Sequence, residues 1–341
     1  MPFFIYIFLA NPIVTTLTEL LWNAEQRRLR AAVRIVGFFC LWLIMPLLLD
    51  ALLLPWLTNA ALRLVQAEGL WLAQGIHFVV YLLGVFIVTW LATRFLDRRP
   101  LADLGLHLSR SWWVDLAGGL ALGALLMTLL FVVQWWLGWV VITGFWQVRL
   151  VNMPFVLAVS GPLMLFIAVA VAEELMFRGY LLRNLAEGFN TPAIGARLSI
   201  VLAWLGSSAF FGLLHVFNPN SSWISTLYLM VAGLMLGLAV VLTGSLALPI
   251  GLHITWNLFQ GNVYGFPVSG NDFTGVTLIA VQQQGPALWT GGRFGPEAGL
   301  LGLWAVALGC GLIVWWVRSR LGVVRMYEPL VEYRARVTGD R

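Results

Sequence analysis

Lysine is absent from this chain: all 20 basic residues are arginine, set against 15 acidic residues and only four histidines. Charged residues amount to 10% of 341 positions, where soluble domains carry about a quarter, so a freely soluble globule is excluded. The net charge of +5 does not point to nucleic acid, because most arginines lie at the ends of apolar segments, where they anchor and orient membrane helices. There are two cysteines, Cys40 and Cys310, far apart and without Cys-x-x-Cys or Cys/His ligand spacing, which excludes a disulfide framework. Both read as small core residues. The His-Glu-x-x-His motif of many zinc peptidases is missing as well. The apolar segment Met1–Ala10 lacks the basic start and the small-residue cleavage site of a secretory signal, so it is expected to be retained. No internal repeat stands out. An all-arginine basic complement fits a GC-rich, bacterial genome, and the expected location is the bacterial inner (plasma) membrane.

What remains is hydrocarbon. Sixty percent of residues are hydrophobic, the mean hydropathy is +0.88, and 18 residues are tryptophan. The expected fold class is all-α, a polytopic transmembrane helical bundle of about eight spans: 35–56, 71–94, 113–136, 160–186, 197–217, 223–243, 247–263 and 298–317. The fourth is expected to begin at Ser160-Gly161-Pro162, since proline is tolerated at a helix start, and to run past Glu173. With both termini cytoplasmic, 17 of the 20 arginines fall on the cytoplasmic side, and only Arg63, Arg149 and Arg293 fall outside. That asymmetry favours an even number of crossings. Trp112-Trp113, Trp135-Trp136, Trp139 and Trp315-Trp316 fit an interfacial belt. Gly119 with Gly123, and Gly233 with Gly237, have the spacing that lets helices pack closely. The connection Gly265–Ala298 reads either as a lid or as a flexible external loop.

Against this background the charges inside apolar segments are costly. Translocon-type scales put one ionised residue at a helix centre at roughly 2.5–3.5 kcal/mol, and Glu173, Glu174 and Arg178 fall within six positions at the end of an apolar run. Glu174 and Arg178 have the favourable i,i+4 order for an ion pair. Glu173 points about 100° away and should share its stripe with Phe177 and Tyr180. Desolvation beside a like charge would suit it to general-base work. The alternative is a buried structural charge network, which also accounts for all three residues. His215 follows Phe211 by one turn, and Asn257 follows His253 by one turn, so each pair shares a helix face.

The order Glu-Glu-x-x-x-Arg, Phe-x-x-x-His and His-x-x-x-Asn on successive apolar segments resembles the type II CAAX prenyl endopeptidase and bacteriocin-processing family of intramembrane proteases, the CPBP or ABI proteins. The resemblance covers about residues 162–262, including Arg178-Gly179-Tyr180-Leu181 and Thr243-Gly244-Ser245-Leu246. It implies three regions: accessory membrane helices over 1–150, a catalytic core over 151–264, and an external loop, last span and cytoplasmic tail over 265–341. It implies an intramembrane endopeptidase in which Glu173 activates water with help from His215. Glu174 and Arg178 would support the site, and His253 and Asn257 would stabilise the oxyanion. The substrate would be a peptide or membrane protein, prenylated or otherwise, presented on the cytoplasmic side, and the partner a lipid bilayer.

Family members are commonly labelled metalloproteases. Glu173, His215 and His253 could form the two-His, one-carboxylate set of a hydrolytic zinc site, but Glu173 could not then serve as a free base, and metal-independent chemistry is the favoured expectation. Two other classes stay open. A transporter or proton relay would also use buried Glu and His, and an immunity or scaffolding membrane protein would keep the fold without catalysis.

Overall fold

A computed structural model describes residues 20–64, 69–149 and 153–333. The Met1–Ala10 segment and the tail arginines Arg334, Arg336 and Arg341 lie outside the described residues. The main helices are α1 (Ala31–Leu64), α2 (Gly69–Leu91), α3 (Arg110–Trp136), α4 (Ser160–Glu174), α5 (Leu182–Phe189), α6 (Gly195–Leu214), α7 (Trp223–Thr243), α8 (Ala247–Leu258) and α9 (Leu300–Leu321). α4 continues into α5 through a π-helical turn, Leu175–Leu181. Local chemistry sets several ends. The Ser109 hydroxyl caps α3 by accepting from the Trp112 N–H, Ser222 and Ser225 form a capping box on α7, and Gly244 and Gly322, both at positive φ, terminate α7 and α9.

Among the described residues seven helical segments are long and apolar enough to cross a membrane, one fewer than expected. The exception is the segment expected over 247–263. α8 has 12 residues, about 18 Å at 1.5 Å per residue, and continues only as a π-helical turn, Phe259–Val263. The chain nevertheless crosses back here. Strand β1 (Val140–Val148), after α3, pairs antiparallel with strand β2 (Val276–Gln283), after α8, in a register running from Val140↔Gln283 to Val148↔Val276. The ends of α3 and α8 therefore lie at the same end of the bundle, with α4–α5, α6, α7 and α8 between them. An even count closes only if the broken α8 segment carries the chain across. The ribbon was not foreseen: its alternation is broken at a register shift between Ile142 and Gly144, and its partners lie far apart in sequence.

At the opposite end four arginines gather on two acids. Arg28 and Arg34 reach Glu187 at 2.8 and 3.2 Å, Arg99 also pairs with it, Arg183 lies 3.8 Å away, and Arg34 binds Asp97 at 2.9 Å. Burial pulls the Arg28 guanidinium down to about 10. Tyr333 covers Arg28 at 3.6 Å from its ring centre, so the segment before α1, the end of α2, the end of α5 and the tail are tied together. The sequence pattern treats these arginines as loop charges; they are buried because Glu187 and Asp97 desolvate with them.

Glycine decides how α8 sits. A Cβ on Gly119 would lie 2.2 Å from the Leu248 carbonyl oxygen, one on Gly123 2.3 Å from that of Leu252, and one on Gly251 2.2 Å from that of Leu116. α3 and α8 thus touch backbone to backbone, and the Thr255 hydroxyl donates to the Leu120 carbonyl at 2.8 Å. Gly233 and Gly237 of α7 likewise admit Ser208 and Trp204 of α6. Other expectations need correction. Cys40 is exposed rather than in the core. Trp112 is buried with its indole N–H on the Gly105 carbonyl, and Trp316 bonds Asp115 at 3.0 Å, while Trp113, Trp135, Trp136 and Trp315 stay exposed as an interfacial belt requires. Arg178, counted with the cytoplasmic loops, is buried inside the bundle. Gly119→Ala is expected to lower stability by about 1–3 kcal/mol through overpacking, read as a fall in the thermal unfolding midpoint in detergent; an unchanged midpoint would contradict this packing.

Candidate active site

Glu173 and Glu174 occupy the last two positions of α4, and their environments differ sharply. The Glu174 side chain is fully buried while that of Glu173 retains 22% exposure. Glu174 Oε1 accepts from Arg178 Nη1 at 3.1 Å and from His253 Nδ1 at 2.9 Å. Arg178 also donates through Nη2 to the Gly233 carbonyl at 3.2 Å, and its guanidinium lies 4.3 Å from the centre of the Phe211 ring. The buried ion pair thus carries further hydrogen bonds and a cation–π contact, as a desolvated pair requires. The π-helical turn follows immediately. Its wider i→i+5 winding breaks the expected stripe: Phe177 faces the same cavity as Glu173, whereas Tyr180 turns away to Asp97 at 3.3 Å and stacks on Phe38.

The two histidines are held by one nitrogen each. His215 begins a 3₁₀ turn directly after α6, and its Nδ1 donates to the Phe211 carbonyl at 2.8 Å, leaving Nε2 to the cavity. His253, mid-way along α8, commits Nδ1 to Glu174, and its Nε2 lies 3.8 Å from Glu173 Oε2. Nε2 is an acceptor on the neutral ring and a donor on the protonated one. Phe211 lies between them, its ring centre 4.8 Å from that of His215 and 6.3 Å from that of His253. The expected spans 197–217 and 247–263 place His215 near the outer end of one helix and His253 near the inner end of the other. Because α8 is only 12 residues long, its sixth to eighth positions lie deep enough to meet the end of α6.

Glu173, His215, His253 and Asn257 line one cavity of about 340 Å³. Leu165, Phe166, Val169 and Phe177 form an apolar wall. Trp42 of α1 and Tyr81 of α2 also line it, as do Asn218, Ser269, Asn271, Phe273 and Glu297. The connection after α8 contributes Val268, Ser269, Asn271, Phe273 and Glu297 to the cavity wall. Burial pushes the Glu297 carboxyl up to about 7 against the pull of its hydrogen bonds to Ser269 and Gln260.

Comparison with known proteins meets this geometry at the same residues. Residues 154–259 match the family model described as Type II CAAX prenyl endopeptidase Rce1-like. This segment is a type II CAAX prenyl endopeptidase Rce1-like domain. It carries α4 to α8 and with them all six residues singled out from the sequence. The chain is also 27% identical over 199 residues to the uncharacterized protein YyaK of Bacillus subtilis (strain 168), a match covering 55% of this chain and 62% of that relative. No solved structure matches. Proteolysis is the general activity of the Rce1-like family, and the apolar helices mark an integral membrane protein.

The zinc hypothesis fits the Rce1-like domain poorly. Among the described residues no group of three His, Cys, Asp or Glu side chains is arranged to hold a metal ion. Glu173, His215 and His253 line one cavity without being arranged as a ligand set. Sequence reasoning missed Trp42, Tyr81, Asn218, Ser269 and Glu297. The first two sit on spans read as accessory membrane helices. Glu297 gave the one usable signal, an acid next to the last span, but nothing in its spacing tied it to the motifs.

Proposed function

We propose that this protein is an intramembrane endopeptidase using Glu173-activated water. The observation that carries the reading is the shared cavity of Glu173, His215, His253 and Asn257, with His253 held from behind by Glu174. Water between Glu173 and His215 gives its proton to the Glu173 carboxylate as its oxygen attacks the amide carbon. Negative charge then develops on the carbonyl oxygen. Protonated His253, through Nε2–H, and the Asn257 side-chain amide are the donors for that oxyanion, and Glu174 offsets the charge of the imidazolium. Collapse breaks the C–N bond, and the proton held by Glu173 passes to the leaving amine. The apolar wall suits a lipidated or membrane-embedded substrate. His215 orients the water through Nε2, since its Nδ1 hydrogen is already donated to Phe211.

The orientation follows from charge. The arginine-rich end, with Arg28, Arg34, Arg99 and Arg183, is cytoplasmic by the positive-inside rule, and the first and last described segments, around Arg28 and Tyr333, lie there, with the protein in the inner membrane of a bacterium. The end of the cavity lined by Asn218, Ser269, Asn271 and Phe273 then lies away from the cytoplasm, in contrast to the cytoplasmic presentation implied by resemblance. A segment of an exported or membrane-inserted protein is the substrate class this favours.

Two measurements test these readings. Purified Glu173→Gln protein in bilayers is expected to lose about 10²–10⁴-fold in cleavage of a prenylated C-terminal CAAX peptide or a single-span membrane protein while remaining folded; undiminished turnover would remove the base. For orientation, in a Cys40→Ala, Cys310→Ala background, Asp272→Cys is expected to react with an impermeant maleimide on intact cells and Glu328→Cys only after permeabilisation. The reverse pattern would invert the topology.

A further inference from the structure

The cavity is lined at one end by polar groups that the proposed chemistry does not use, among them Asn218, Ser269 and Glu297. Gln260 lies three residues beyond Asn257, and Asn218 three residues beyond His215, so each follows a proposed catalytic side chain by about one turn. Asn218 Nδ2 donates to the Ser269 carbonyl at 2.9 Å, and Gln260 Nε2 donates to the Pro267 carbonyl at 2.6 Å. Two helix ends are thereby strapped to the same short stretch, Pro267–Ser269. Glu297 closes the ring: its Oε1 accepts the Ser269 N–H at 2.5 Å, and its Oε2 accepts a second hydrogen from Gln260 Nε2.

The backbone is built to admit this contact. Gly295 has φ +125°, and a Cβ there would lie 2.4 Å from the Pro267 carbonyl oxygen and 2.6 Å from Glu297 Oε2. Gly270, at φ +83°, donates its N–H to the Phe294 carbonyl at 2.7 Å. Glu297 is only 5% exposed, and a carboxylate is costly to bury unless its hydrogen bonds are made. It lies outside the matched residues 154–259, so nothing in the Rce1-like domain accounts for it.

We propose that Glu297 is a positioning residue for the proposed peptidase: its carboxylate fixes Pro267–Ser269 as a bar across the cavity mouth. Through Gln260 and Asn218 that bar sets the separation between the His253–Asn257 helix and His215. The catalytic consequence rests on the peptidase reading; the clamp itself rests only on the hydrogen bonds.

Hydrogen exchange on the full chain in bilayers tests the clamp whether or not any peptide is cut. Glu297→Gln keeps the shape but opposes an amide NH₂ to one of its two donors. It is expected to raise exchange about tenfold over 266–271 and also over 215–221, across the cavity, with 225–240 unchanged. Asn218→Ala is expected to raise exchange over 215–221 alone. A rise in Glu297→Gln confined to 296–303, or none, would overturn the clamp. In cleavage of the single-span membrane protein, Glu297→Gln is expected to lower kcat about tenfold with KM within about twofold; unchanged kcat per folded protein would overturn its positioning role. A wild-type protein that cuts no peptide would sink the preceding function and leave the exchange result to judge the clamp.

Discussion

One buried carboxylate oxygen organises the centre of this molecule. Glu174 Oε1 accepts from both Arg178 and His253, which joins α4, its π-helical extension and α8 at a point that water does not reach. Removing Arg178 would leave the Glu174 carboxylate without its buried ion-pair partner, a loss of about 3–5 kcal/mol for buried pairs. The geometry of His253, and with it the direction its Nε2 presents to the cavity, is a consequence of that arrangement. The neighbouring Glu173 keeps partial exposure because Glu174 has taken the buried partners. Two adjacent residues of one chemical type thus acquire different tasks from their surroundings.

The same point requires a short eighth helix. A full-length span would carry His253 away from the end of α6, and α8 instead runs for 12 residues, pressed against α3 through Gly119, Gly123 and Gly251. Its backbone contacts substitute for side-chain packing and leave the opposite face free to line the cavity. The Arg–Glu–Asp cluster at one end and the β1–β2 ribbon with its following loop at the other hold the bundle closed around that face.

Much of this was legible in the sequence. Hydropathy located the long helices to within a few residues, and the Glu-Glu-x-x-x-Arg, Phe-x-x-x-His and His-x-x-x-Asn motifs contained the residues that meet at the cavity. The Gly119–Gly123 spacing marked a close helix contact. The rest depended on information that periodicity lacks. The π-helical turn at Leu175–Leu181 changes the winding without a proline or glycine signature at its start, so Tyr180 was assigned to the wrong face. Nothing in the sequence singles out Glu187 and Asp97, because pairing across 63 to 159 residues leaves no local trace. Glu297 shows in the sequence only as an acid beside the last span: its partners Gln260 and Ser269 are neutral, and the contacts exist only once the loop has folded back.

The central claim, that Glu174 acts through His253, is tested most directly by a double-mutant cycle on kcat/KM for peptide cleavage with Glu174→Gln, His253→Gln and the double variant. The two losses are expected to be strongly non-additive, with a coupling of about 1–3 kcal/mol and the double variant little worse than the poorer single one. Additive losses would mean that the two side chains act independently, and the arrangement described here would not be the basis of activity.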